Sequence, residues 1–230
     1  MKTHTAVELK EVIARHMAYL KGESGGERAD LSYANLSNAD LSYANLSYAC
    51  LNNANLNNAN LSNANLRYAD LSYACLNNAD LSYANLRYAN LRYADLRYAD
   101  LSYACLNNAD LRYANLRYAN LRYADLSNAC LNNANLSYAD LSYACLSYAT
   151  GNGRELKSIA ASSQYAIAYT SIELVIGCER HLISDWFSFD DARILEMDGR
   201  DALKFWRVWK PLLQQLIDAE PATPTRELTS

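Results

Sequence analysis

A chain of 230 residues allows one or two domains with a sizeable core, and its 21 Lys and Arg against 25 Asp and Glu leave a net charge of −4. That balance gives no global attraction to nucleic acid or to an anionic membrane. No stretch approaches the roughly 20 apolar residues of a membrane span, and the first residues lack the apolar run and cleavage site of a signal peptide, so a soluble, cytoplasmic protein is expected.

Thr5-Ala6-Val7-Glu8 has the spacing of a capping box, Thr5 bonding forward and Glu8 reaching back. Leu9, Val12, Ile13, His16, Met17 and Leu20 then recur at helical spacing, which predicts a helix from about Ala6 to Leu20. Gly22, Gly25 and Gly26 end it. Its apolar stripe serves either as a lid on the segment that follows or as a partner-binding face, and the lid is the expected role. His16 is expected to pack and not to ligate.

From Ala29 to Tyr148 one five-residue unit recurs 24 times without a break: Ala, then Asp, Asn or Cys, then Leu, then Ser, Asn or Arg, then Tyr or Asn. Ala and Leu never vary, and being two residues apart they point the same way from an extended backbone. The two residues after Leu must turn the chain so that the next Ala points inward again. Short Asn, Asp and Ser side chains suit such turns because they bond nearby backbone. Gly and Pro are absent from the run, so any turn with positive φ falls most cheaply on Asn.

This run resembles the pentapeptide-repeat (repeated-five-residue) family, whose members fold as right-handed, four-sided β-solenoids. The resemblance implies four pentads per coil and stacking of residues 20 apart. The expected fold is an all-β solenoid: a right-handed quadrilateral parallel β-helix of about six coils, roughly 29 Å long at ~4.8 Å per coil. It is expected to be capped by the N-terminal α-helix and a small C-terminal α+β segment. The expected units are 1–28 (helical cap), 29–148 (solenoid) and 149–230 (C-terminal cap). The leucine and alanine positions drift in the family but not here, which reads as a synthetic consensus repeat between natural-type ends. A designed structural scaffold without catalytic activity is the expectation. The alternative that the resemblance implies is a DNA-mimic binding module acting on DNA gyrase. Such mimicry rests on a strongly negative surface, whereas these 120 residues hold nine aspartates and seven arginines.

Three residue types could face outward to some purpose. Cys50, Cys75, Cys105, Cys130 and Cys145 occupy the slot of Asp or Asn, and those sharing a face lie two or more coils apart. At ~4.8 Å per coil they are beyond the ~7 Å reach of a disulfide, so reduced thiols are expected. Stacking at 20 residues puts Tyr73, Tyr93 and Tyr113 in one ladder and Tyr83, Tyr103, Tyr123 and Tyr143 in another, read as cross-coil packing and not as a ligand platform. It also stacks Arg67 over Arg87, Arg92 over Arg112 and Arg97 over Arg117. With the neighbouring rings these could form a nucleic-acid stripe, but they wrap the solenoid and alternate with aspartates, so a mixed-charge solvated surface is expected.

Regularity stops at Ala149-Thr150-Gly151-Asn152-Gly153. Three β-prone runs follow, Leu156–Ala161, Ala166–Thr170 and Ile172–Gly177. Two helices are then expected, about Ser184–Met197 with Ser184 as its cap, and Gly199–Ala219. Leu203, Trp206, Trp209, Leu213, Leu216 and Ile217 give the second an apolar stripe. The stretches around Ile176–His181 and Trp206–Pro211 resemble the non-repeat end of uncharacterised pentapeptide-repeat proteins, which implies no activity. Cys178 and His181 have a metal-type spacer but no second ligand pair, and no third group orients them as a nucleophile. No catalytic, cofactor or metal residue is therefore assigned and no cofactor is expected. Neither is an obligatory partner, nucleic acid or membrane: the chain is read as a monomer, or a weak homodimer through the C-terminal helix.

Overall fold

In the computed structural model, residues 2–3, 6–153, 156–159, 165, 167–177 and 179–223 are described. Each pentad is a short extended segment followed by a two-residue turn, and in the inner coils, where Asp or Asn stands second, every backbone N–H in it has its own acceptor. In the pentad Ala79–Tyr83, the Ala79 amide closes the preceding turn on the Leu76 carbonyl, 3.1 Å away. The Asp80 amide donates to Ala59 in the coil before (2.9 Å), and those of Leu81 and Tyr83 to Asp100 and Ser102 in the coil after (2.7 and 3.0 Å). The fifth amide, of Ser82, reaches back to the Asp80 side chain at 2.9 Å. A backbone with no orphan donors can be buried on one face without an electrostatic penalty.

Parallel bridges join residues 20 apart from Asp30↔Cys50 to Cys130↔Thr150, so four pentads complete one turn of the chain. The leucines from Leu31 to Leu146 and nearly all the alanines point inward and are buried; Ala39 and Ala44, near the first edge, are partly covered. Positive φ falls on the last residue of every pentad, between 56° at Asn78 and 65° at Tyr48. The expectation that Asn would carry it holds for eight corners only; the other sixteen are Tyr. Coil closure demands the same backbone at each corner whatever its residue, at a cost of roughly 1–2 kcal/mol for a residue with Cβ. Cross-coil stacking of the rings helps to offset it.

At the N-terminal edge, β1 (Lys2–Thr3) pairs in parallel with β2 (Ala34–Asn35) and covers part of the open backbone. The helix α1 spans Ala6–Lys21 and lays Leu9, Val12 and Ile13 against the solenoid leucines. His16 is fully buried there, its Nδ1 accepting the Ala29 amide at 3.1 Å. Thr5, the first half of the expected capping box, lies outside the described residues.

Beyond the last pentad an antiparallel sheet runs β3 (Lys157–Ile159), β4 (Ile167–Tyr169), β5 (Glu173–Ile176), β6 (Glu179–Leu182). Its side chains alternate between two cores. Ala168 and Val175 join the solenoid core, while Ile167, Tyr169, Leu174 and Ile176 meet Trp186, Ile194, Trp206 and Leu213 from the helices. The sheet is thus a layer between solenoid and helices.

Two expectations need correction here. A fourth strand, β6, follows the three β-prone runs, and the first helix is shorter than its pattern suggested. That helix, α2, covers Ile183–Ser188 with Leu182 at its cap position and no side-chain cap, so Ser184 does not serve. The cap that forms is Asp190, whose carboxylate accepts the Arg193 amide at 2.8 Å and opens α3 (Asp191–Ala219). α3 is broken at Asp198 and Gly199, where Gly199 takes φ 67°, at the boundary the sequence had placed between two helices. Ala160, Ala161 and Ala166 of the expected strand runs lie outside the described residues. Among the described residues no helix is long and apolar enough to cross a membrane.

Candidate functional site

The outward surface of the coils is decided by the second residue of each pentad. Where it is Asp or Asn, its Oδ1 receives the amide two residues on, as in Asp30–Ser32 (3.1 Å), Asn65–Arg67 (3.2 Å) and Asp140–Ser142 (3.0 Å). Where it is Cys that oxygen is missing; the Asn77 amide after Cys75 finds Asn57 Oδ1 in the previous coil, at 3.0 Å.

The same residue sorts the arginines. Arg97 and Arg112 follow Asp95 and Asp110 by two residues, and each forms a two-pronged pair with that carboxylate, at 2.8 and 2.8 Å and at 2.8 and 2.6 Å. Arg67, Arg92, Arg117 and Arg122 follow Asn, and their guanidinium groups lie over Tyr68, Tyr93, Tyr118 and Tyr123, 4.8–5.8 Å from the ring centroids. Two of the three stacked pairs, Arg92 over Arg112 and Arg97 over Arg117, are divided in this way between a ring and a carboxylate. In the pair Arg97 over Arg117, the first holds a carboxylate and the second a ring. Burial pushes the Asp95 and Asp110 carboxyls up, yet hydrogen bonds from Arg97 and Asn77, and from Arg112, outweigh it and leave both below the usual carboxylate range. Asp40 is lowered by its hydrogen bonds from Ser42.

The two tyrosine ladders read from the sequence form as expected. Tyr73, Tyr93 and Tyr113 stack with centroids 4.8 Å apart, as do Tyr83, Tyr103, Tyr123 and Tyr143, with planes within 9° of parallel. Two further columns, Tyr48–Tyr68–Tyr88 and Tyr98–Tyr118–Tyr138, place stacked rings on all four faces.

Cys50, Cys75, Cys105, Cys130 and Cys145 are free thiols. Cys178 lies outside the described residues. His181 packs edge-on against Trp186 and Phe189, at 5.3 and 5.0 Å, with Nε2 3.3 Å from Glu179. Among the described residues no three metal-binding side chains come together.

Arg180 was passed over in the sequence. From β6 it donates to the carbonyls of Leu141 and Ala144 in the last pentads (2.8 and 2.5 Å) and pairs with Glu173. Ser147 Oγ donates to the Gly177 carbonyl at 2.6 Å across the same junction. Arg180 falls beyond the last of the β-prone runs, so no local sign of this role lay in the sequence.

A family model for pentapeptide repeats matches eight copies over residues 27–58, 51–82, 74–112 and 114–149, more than half of the chain. Among solved structures the chain is similar to QnrB1, a plasmid-mediated fluoroquinolone resistance protein. The identity is 24% over 54% of this chain and 68% of that one, with a TM-score of 0.41. HetL, a pentapeptide repeat protein involved in heterocyst differentiation regulation in the cyanobacterium Nostoc sp. strain PCC 7120, is 40% identical over 55% of this chain and 63% of that one, TM-score 0.23. The pentapeptide repeat protein alr5209 from Nostoc PCC 7120 is 32% identical over 58% and 85%, TM-score 0.33. The match thus spans about two thirds of the first two of these chains. No curated protein matches.

Proposed function

The chain belongs to the pentapeptide-repeat family, whose fold is the right-handed quadrilateral β-helix, and we propose that it acts as a structural scaffold without catalytic activity. In this reading residues 29–148 are a consensus solenoid of six coils, 1–28 a helical cap and 149–230 an α+β cap. The observation that carries it is the uniform bonding of the pentads: one amide pattern serves the whole run, and its side-chain oxygen is supplied wherever Asp or Asn stands second. A surface evolved around one ligand would break that uniformity at one face. The design origin rests on the invariance of Ala and Leu in the sequence. The protein is proposed to be soluble, cytoplasmic or recombinant, and monomeric. Trp206, Leu213 and Ile217 of the α3 stripe are buried within this chain and so are closed to a second copy.

The competing reading, a DNA mimic acting on gyrase, requires a surface of free negative charge, and pairing of Asp95 and Asp110 with arginine works against it. A gyrase supercoiling assay with the folded protein, its mass followed by light scattering in the same buffer, separates the two. No inhibition at tens of micromolar, with a monomeric mass, is the expected result. Inhibition near a micromolar would replace the scaffold reading by mimicry.

A further inference from the structure

A cleft of about 320 Å³, its open mouth included, lies between the C-terminal sheet and the break in α3. Tyr165, Trp186, Phe205 and Trp206 line it together with two carboxylates, Glu179 and Asp198. Trp186 and Trp206 are buried with ring centroids 5.2 Å apart, and Tyr165 and Phe205 are 4.7 Å apart and tilted by 54°. These rings are held rigidly, since Trp186 Nε1 donates to the Leu174 carbonyl at 2.7 Å and Phe205 stacks on Trp209. Asp198 stands at the break in the helix, where its own φ of −152° and the positive φ of Gly199 leave the helical path. Its Oδ2 accepts the Tyr165 hydroxyl at 2.6 Å, which fixes the carboxylate beside the rings. Glu179, at the start of β6, is partly buried and has His181 beside it, while Asp198 is exposed.

We infer that this cleft binds a trimethylammonium group. Aromatic walls with carboxylates beside them form a site that attracts a soft cation; Lys210, whose Nζ lies 5.5 Å from the Trp206 centroid, is not among the residues lining the space. Such a cation needs no hydrogen-bond acceptor and is weakly hydrated, so it loses little on leaving water. A primary ammonium would lose more. The site is independent of the solenoid surface, and the scaffold reading stands or falls separately.

The tryptophans at positions 186, 206 and 209 all belong to this aromatic cluster, so intrinsic fluorescence reports directly on the cleft. Choline titrated into the full chain is expected to give a saturable change with Kd of about a millimolar. The uncharged analogue 3,3-dimethylbutanol should bind at least tenfold more weakly. A short peptide bearing one trimethyllysine, run alongside, distinguishes a protein side chain from a free small molecule as the source of the group. Glu179→Gln and Asp198→Asn are each expected to weaken choline binding roughly tenfold. If Asp198→Asn disturbs the helix break, as circular dichroism would show, Glu179→Gln carries the test alone. No saturable change with either probe, equal binding of the uncharged analogue, or wild-type affinity in a folded Glu179→Gln protein would each overturn the inference.

Discussion

Asp80 shows how one side chain closes a turn, since its Oδ1 takes both the amide and the hydroxyl of Ser82, at 2.9 and 2.6 Å. Asp80→Ala leaves the Ser82 amide in a corner with no other built acceptor and is expected to lower stability by about 1–2 kcal/mol in guanidinium denaturation. The converse change, Cys105→Asn, supplies the missing oxygen and should raise stability by roughly 0.5–1 kcal/mol. His16 gives a pH-dependent term. Burial, with the Arg28 charge adding to it, holds its pKa below the ordinary value. The unfolded chain therefore takes up the proton first as pH falls. The stabilisation is complete above about pH 6.5 and is lost below that, until the folded pKa is reached. Thermal melts from about pH 7.5 to 5 should show a fall in Tm that is shallower in His16→Gln.

Among the elements, the sheet β3–β6 has the most to do, because it must satisfy the last coil on one face and the helices on the other. Arg180 is its main polar tie, donating to the Leu141 and Ala144 carbonyls. Arg180→Ala removes both bonds and leaves the Glu173 carboxylate without its half-buried partner, at an expected cost of about 2–3 kcal/mol. Hydrogen exchange should quicken first in the last coil, near Leu136–Leu146, while the coils around Leu86 stay protected. Uniform acceleration along the solenoid would show that the sheet holds the whole structure and not its end.

For the whole molecule, the 20-residue register governs what can be removed. Deletion of Cys75–Ala94 takes out one full turn and joins Ala74 to Asp95, restoring a complete pentad with its ladders aligned. A shorter folded protein with a lower melting temperature is expected. Deletion of Cys75–Leu91 breaks the pentad and would turn the following leucines off the axis, so cooperative melting should be lost in circular dichroism. Leu86→Ala, in the filled axis, is expected to cost about 3 kcal/mol.

Much of this fold was legible from residue order alone. The direction of Ala and Leu, the place of each turn, α1 and the break near Gly199 follow from local geometry, which a neighbour a few residues away can settle. The columns of Tyr73 and Tyr83 were legible too, once a 20-residue turn was granted. That turn was not: five-residue spacing fits many closures, and hydrogen bonds between residues 20 apart select this one. β1 is two residues long and exists only as the partner of Ala34–Asn35, so it had no pattern to read. The fates of the arginines were partly written in the residue two places before, but whether a ring lies within reach depends on the coil stacked alongside. Arg180 and the cleft at Asp198 depend on segments more than thirty residues apart in the chain. Local sterics and side-chain alternation act within a pentad, and the sequence states them directly; contacts across the chain have no such local sign, and only packing brings them together.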